Sequence, residues 1–152
     1  MSFVLSSTAF ANGQPIPQAH SCKGHETSPP LAWSEPPSGT ESFALIADDP
    51  DAPAGTWVHW VILNIPAATR GLTDGIPAQA QLFDGSVQGK NSSGRVGYQG
   101  PCPPSGTHRY FFRLYALDGL LGVSSGVDKR GLLSAMEGHV LGQAELMGTF
   151  SK

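Results

Sequence analysis

The sequence predicts a mainly β protein with a helix at its edge. Glycine and proline are abundant, 19 and 13 of 152 residues, and they punctuate short apolar runs along the whole chain. That pattern reads as many short strands joined by tight turns. Three segments are rich in β-branched and aromatic residues, whereas a single stretch near the C-terminus shows an apolar stripe at helical spacing. The length suits one domain over 1–152, long enough to bury a sizeable core.

Taken in order, Phe3 to Phe10 is expected as an opening strand. Residues Ala11 to Glu41 read as loop, because Pro15, Pro17, Pro29, Pro30, Pro36 and Pro37 forbid long regular elements. Leu31-Ala-Trp33 interrupts that loop and is expected to anchor it to the core. Ser42-Phe-Ala-Leu-Ile-Ala47 is nearly all apolar and reads as a central strand running into the turn Asp48-Asp-Pro-Asp-Ala-Pro53. Trp57 to Ile65 is the second strand, ending at Pro66. Strict period-two alternation sets His59 with Val61 and Leu63, and Trp60 with Ile62. Ala67 to Gly94 reads as loop with one short strand near Gly85 to Gly89. His108 to Leu117 is the third strand, with His108, Tyr110, Phe112 and Leu114 on one face. Asp128 is an expected N-cap. The helical stripe after it contains Leu132, Leu133, Met136, Val140, Leu141 and Ala144, and the chain leaves the helix between Ala144 and Phe150 for a last strand.

Charge excludes several classes. Charged residues are only 14%, the net charge is −3, and no run of basic residues exists. Nucleic acid and anionic membrane surfaces need clustered Lys and Arg, so neither is an expected partner. No apolar run is long enough for a transmembrane helix, and no signal peptide is visible, which predicts a cytoplasmic protein. Cys22 and Cys102 are too few for a disulfide framework and are expected as reduced thiols. His20-Ser-Cys22-Lys-Gly-His25 has metal-like spacing but no clear fourth ligand, so no metal is expected.

Two segments carry chemistry. In Asp49-Pro-Asp51-Ala-Pro53 short carboxylates sit at a sheet end on a proline-stiffened turn; their ordinary use would be to satisfy turn N–H groups. His59 lies mid-strand among apolar neighbours, where a histidine still needs partners for its ring nitrogens. A carboxylate from the Asp49 turn is expected to hold one ring N–H, which would raise the imidazole pKa and favour an anion beside it. In Gly100-Pro-Cys-Pro-Pro-Ser-Gly106 prolines fix a loop, and the Gly100 N–H is expected to donate to an anion. His108 and Tyr110, two apart on one strand face, can touch one small group. No Walker lysine, nucleophile elbow or dinucleotide fingerprint accompanies them.

Together these segments resemble the phosphatidylethanolamine-binding protein family, also called the Raf-kinase-inhibitor-protein family, in its bacterial and archaeal branch. The residues that carry the resemblance are Ser28-Pro-Pro-Leu-Ala-Trp33, Asp49-Pro-Asp-Ala-Pro53, Trp57-Val-His-Trp60, Asn64-Ile-Pro66, Gly97-Tyr98, Gly100-Pro-Cys-Pro-Pro104, His108-Arg-Tyr110 and Ala135-Met-Glu-Gly-His139. The resemblance implies an antiparallel β-sandwich with peripheral helices. It implies a surface pocket for phosphate, phosphomonoesters or a phospholipid head group, walled by Asp49, His59, Gly100, Pro101, His108 and Tyr110 with Asp51 adjacent. It implies a cis bond at Ala52-Pro53, no cofactor and no catalysis. The expected role is therefore non-enzymatic binding, with inhibition of a protein kinase or protease through the pocket rim as the alternative; a homodimer stays open. Relative to eukaryotic members the Pro53–Trp57 link is short, and their pocket-closing C-terminal segment is not evident.

Overall fold

The computed structural model describes residues 2–152. In chain order the elements are β1 (Leu5–Ser6), a 3-10 turn (Gln18–His20), β2 (Leu31–Trp33), β3 (Ser42–Asp49), β4 (Trp57–Pro66), β5 (Gly71–Leu72), β6 (Val87–Gln88), β7 (Thr107–Leu117), α1 (Lys129–Met136) and β8 (Val140–Ser151). They form a three-stranded sheet, β1-β2-β5, and a five-stranded sheet, β6-β4-β3-β7-β8, antiparallel throughout.

Both faces of the large sheet are covered. On one face Phe43, Leu45, Trp60, Ile62, Phe112 and Leu114 meet Leu5, Leu31, Trp33 and Leu72 of the small sheet. On the other, Ala44, Ile46, Val61, Leu63 and Leu117 pack against Leu132 and Met136 of α1. This two-sided burial explains why β3 is buried at all its positions and reads as an unbroken apolar run. Of its two buried aspartates, Asp48 is neutralised by Lys129 Nζ at 2.6 Å and Arg113 at 3.2 Å, which ties α1 to the sheet.

Several expectations need correction. The opening strand shrinks to Leu5–Ser6, because the Ser7 hydroxyl accepts the Ala9 N–H and donates to the Pro30 carbonyl, turning the chain. The short strand β5 carried no signal of its own and forms only by pairing with β2. The helix is capped by Asp128 as expected, its carboxylate accepting the Gly131 N–H at 2.9 Å, but it ends at Met136. Gly138, at φ +81°, then reverses the chain. Val140, Leu141 and Ala144 belong to β8, which pairs with β7 from Thr107–Ser151 to Leu117–Val140. Their helical spacing was a coincidence of a strand that follows a helix without a long loop. All described peptide bonds are trans, Ala52–Pro53 included.

Candidate functional site

The decisive local feature is a β-bulge. Along β3 and β4 the pairs run Ile46–Val61 and Ala47–Trp60, then jump to Asp48–Val58, so His59 is the extra residue. A bulge resets the alternation of the strand that carries it. Val58 packs toward the α1 side of the sheet. His59 turns to the opposite face, where its ring lies edge-on to Tyr110 with centroids 5.2 Å apart. The expectation that His59 shares a face with Val61 and Leu63 is therefore wrong, and the bulge is the reason.

His59, His108 and Tyr110 line one recess of about 230 Å³ at the end of the large sheet. Asp49, Ala52, Pro53, Trp57, Gln99, Gly100, Cys102, Pro103 and Pro104 complete its walls. Of the expected residues, Asp49, His59, Gly100, His108 and Tyr110 are brought together here. Pro101 is not among the lining residues; it is buried, and its carbonyl accepts the Cys22 N–H at 3.1 Å. Asp51 faces the rim instead, where it accepts from the Arg109 backbone N–H, Nε and Nη2, each at 2.9 Å. These charged donors hold its carboxyl down at about 2, the Arg109 side chain contributing most.

The hydrogen bonds differ from the expected pairing. Asp49 does not hold His59. Its Oδ2 accepts from His108 Nδ1 at 2.6 Å, and its Oδ1 accepts the Asp51 N–H at 2.8 Å. His59 Nδ1 donates to the Gln99 carbonyl at 2.6 Å, while the His59 carbonyl accepts the Gln99 N–H at 2.8 Å. Burial depresses the His59 pKa, outweighing the Gln99 carbonyl and the carboxylates of Asp49, Asp48 and Glu26 that act in the other direction. The expected rise is thus reversed: desolvation wins. The Gly100 N–H is also committed, donating to Glu26 Oε2 at 2.9 Å.

Glycine at position 100 answers to a neighbouring loop. An added Cβ would lie 2.8 Å from Glu26 Cγ and 3.0 Å from Ser21 Cα. The 98–102 segment is sewn to the 20–26 loop at this point, through Tyr98 Oη donating to the His20 carbonyl at 2.7 Å and through a Cys22–Cys102 disulfide. The cysteines are bonded to each other, against the expectation of reduced thiols; 80 residues separate them in sequence, so nothing local signals the pairing. His20 of the metal-like motif turns its Nδ1 to the Thr27 carbonyl at 2.9 Å.

Two functional residues escaped sequence reasoning. Gln99 orients His59 through its backbone and receives Trp57 Nε1 at 2.9 Å on its side chain. Glu26, at φ +59°, caps Gly100. Neither belongs to a charge pattern or a periodic face; the Gly-Tyr-Gln-Gly context was the only available signal.

Among the described residues, one buried side-chain polar atom has no partner: the Tyr110 hydroxyl. Tyr110 is 2% exposed, and its ring meets His59 edge-on at 5.2 Å and His108 in a stacked arrangement at 6.4 Å. Burial, with the nearby Asp49 and Asp51 carboxylates, pushes its pKa far up, so the hydroxyl keeps its proton. An unpaired buried hydroxyl costs free energy that a bound acceptor would recover.

The chain and its fold match known proteins along nearly the whole length. The family model described as phosphatidylethanolamine-binding protein matches residues 6–151. A UPF0098 protein of Methanothermobacter thermautotrophicus is 53% identical over 97% of this chain and 98% of its own, and a UPF0098 protein of Chlamydia muridarum is 48% identical over 97% and 98%. Among solved structures, the phosphatidylethanolamine-binding protein homologue CT736 of Chlamydia trachomatis superposes with a TM-score of 0.92 at 44% identity, covering 99% of this chain and 98% of that one. Escherichia coli YbcL, described as a member of the mammalian PEBP family, superposes at 0.91 with 32% identity, covering 100% and 99%. The chain belongs to the phosphatidylethanolamine-binding protein family.

Proposed function

We propose that the recess binds a small anion or phosphorylated head group without transforming it. The observation that carries this reading is a preformed recess lined by two imidazoles and by Tyr110, whose buried hydroxyl has no partner. Its volume suits a head group better than a drug-sized molecule, whose pockets start at roughly 300 Å³. Preorganisation supports binding as well: Asp49 fixes His108, Gln99 fixes His59, and the disulfide and prolines hold the facing loop. Such a site loses little conformational freedom when a ligand enters.

Binding without turnover fits the lining. The wall contains no serine or threonine, and its cysteine is oxidised, so it offers no nucleophile of the Ser, Thr or Cys kind. Titration with inorganic phosphate or phosphoethanolamine, followed by the His59 and His108 imidazole NMR signals, tests the reading. Saturable shifts of both rings at millimolar ligand are expected. Unmoved signals would overturn it.

A further inference from the structure

The Cys22–Cys102 bond stands at the edge of the recess. Cys102 is one of the lining residues, and both cysteines are exposed. A disulfide sealed in a core is closed to thiols, whereas an exposed one is open to exchange. What this bond holds is defined by what else holds the same loop. Residues 98–101 are tied several times over. The Tyr98 hydroxyl donates to the His20 carbonyl at 2.7 Å, the Gln99 N–H to the His59 carbonyl at 2.8 Å and the Gly100 N–H to Glu26 Oε2 at 2.9 Å, while the Pro101 carbonyl accepts the Cys22 N–H at 3.1 Å. Past Pro101 these ties stop. Among the described residues, 102–105 make no backbone hydrogen bond; the next is at Gly106, whose carbonyl accepts the Lys152 N–H at 3.0 Å. Yet Cys102, Pro103 and Pro104 form this side of the recess. Pro103 is buried and Pro104 exposed, and the two fixed rings make the segment a stiff arm. The disulfide is its covalent anchor.

We propose that Cys22–Cys102 is a thiol–disulfide exchange site for a dithiol, and that opening it weakens the recess for anions; the second half rests on the binding function proposed above. A thiolate of the dithiol attacks one protein sulfur, forming a mixed disulfide and releasing the other cysteine as a thiolate. The second thiol of the reagent then displaces the remaining protein sulfur. The S–S bond of the protein takes up two electrons and two protons, giving two thiols, and the reagent leaves as a disulfide.

The exchange is built to be reversible. The hydrogen bond from the Cys22 N–H to the Pro101 carbonyl involves no sulfur, so after reduction it keeps the two thiols near one another. The bonds that orient His59 and His108 run to Gln99 and Asp49 and involve neither cysteine. The reduced protein therefore keeps both imidazoles in place and loses only the anchored wall. An entering anion must then order that wall again, and affinity falls without vanishing.

The test treats the intact protein with dithiothreitol in the absence of denaturant, counts free thiols by alkylation and mass spectrometry, and titrates both forms with inorganic phosphate, read by imidazole NMR. Two thiols are expected to appear while the far-ultraviolet circular dichroism stays unchanged. Phosphate is expected to bind the reduced form about three- to tenfold more weakly, the effect of ordering one or two loop side chains. Linkage requires the reciprocal result. Saturating phosphate should raise, by the same factor, the ratio of reduced to oxidised dithiothreitol that half-reduces the protein. Cys22→Ser/Cys102→Ser should bind as the reduced form does; the wild-type pair of forms decides even where that variant fails to fold. Equal affinity in the two forms, a bond that opens only in denaturant, or unfolding on reduction overturns the exchange site as a control of the recess and leaves the binding function standing. An oxidised protein that does not bind phosphate overturns the binding function, and this control with it.

Discussion

Each side chain in the recess owes its role to what holds its other end. His59 and His108 are both imidazoles on neighbouring strands, yet one hangs on a backbone carbonyl and the other on a carboxylate. Burial lowers the pKa of the first, whereas the second has an anion against its Nδ1. At the rim, Asp51 offers a separable test of the same electrostatics. Its carboxyl is lowered from 3.8 to about 2 by Arg109. A depressed folded-state pKa contributes stability above the unfolded value and loses it as pH falls through the folded one. The wild type should therefore exceed Asp51→Asn in urea stability above about pH 4, with the difference fading between pH 4 and 2. The Asp51 and Arg109 side chains are 29% and 53% exposed, so the difference should be small and shrink in salt. A gap that persists unchanged at pH 2 would contradict the assignment.

The elements matter through their irregularities. The site-facing half of β7 was legible from sequence, because a regular strand keeps its alternation: His108, Tyr110, Phe112 and Leu114 are all buried on one face. The site-facing half of β4 was not, because a one-residue bulge inverts every assignment beyond it. A second irregularity follows at Asn64, at φ +55°, whose side chain donates to the Leu121 carbonyl and accepts the Leu121 N–H. Bulges carry no period, so composition does not reveal them. The loop opposite is likewise held by non-local links, and its disulfide is the strongest. Closing an 80-residue separation, it restricts the unfolded chain, and the double variant Cys22→Ser/Cys102→Ser should lose about 2–4 kcal/mol by denaturant unfolding. A loss below about 0.5 kcal/mol, the range of ordinary surface substitutions, would mean that the neighbouring hydrogen bonds fix the loop without it.

At the scale of the molecule, the sandwich gives the large sheet two buried faces and one usable end. The bulge at His59 divides the start of β4 between two spaces. His59 turns into the recess, while Val58 lines a wider groove of about 590 Å³ beside α1 with Lys90, Lys129, Arg130 and Leu133. The fold class, the central strands and most recess residues were readable because apolar runs, turn residues and one regular strand report on themselves. The partners of those residues were not, since Gln99, Glu26 and the Cys22–Cys102 pair act across 40 to 80 residues of sequence. No described helix is long and apolar enough to cross a membrane. A crystal structure of the protein grown with methyl phosphate tests the central claim most directly. The account predicts the phosphoryl group in the recess, against the His59 and His108 imidazoles. Phosphate seated in the groove beside α1 with the recess left empty would contradict it.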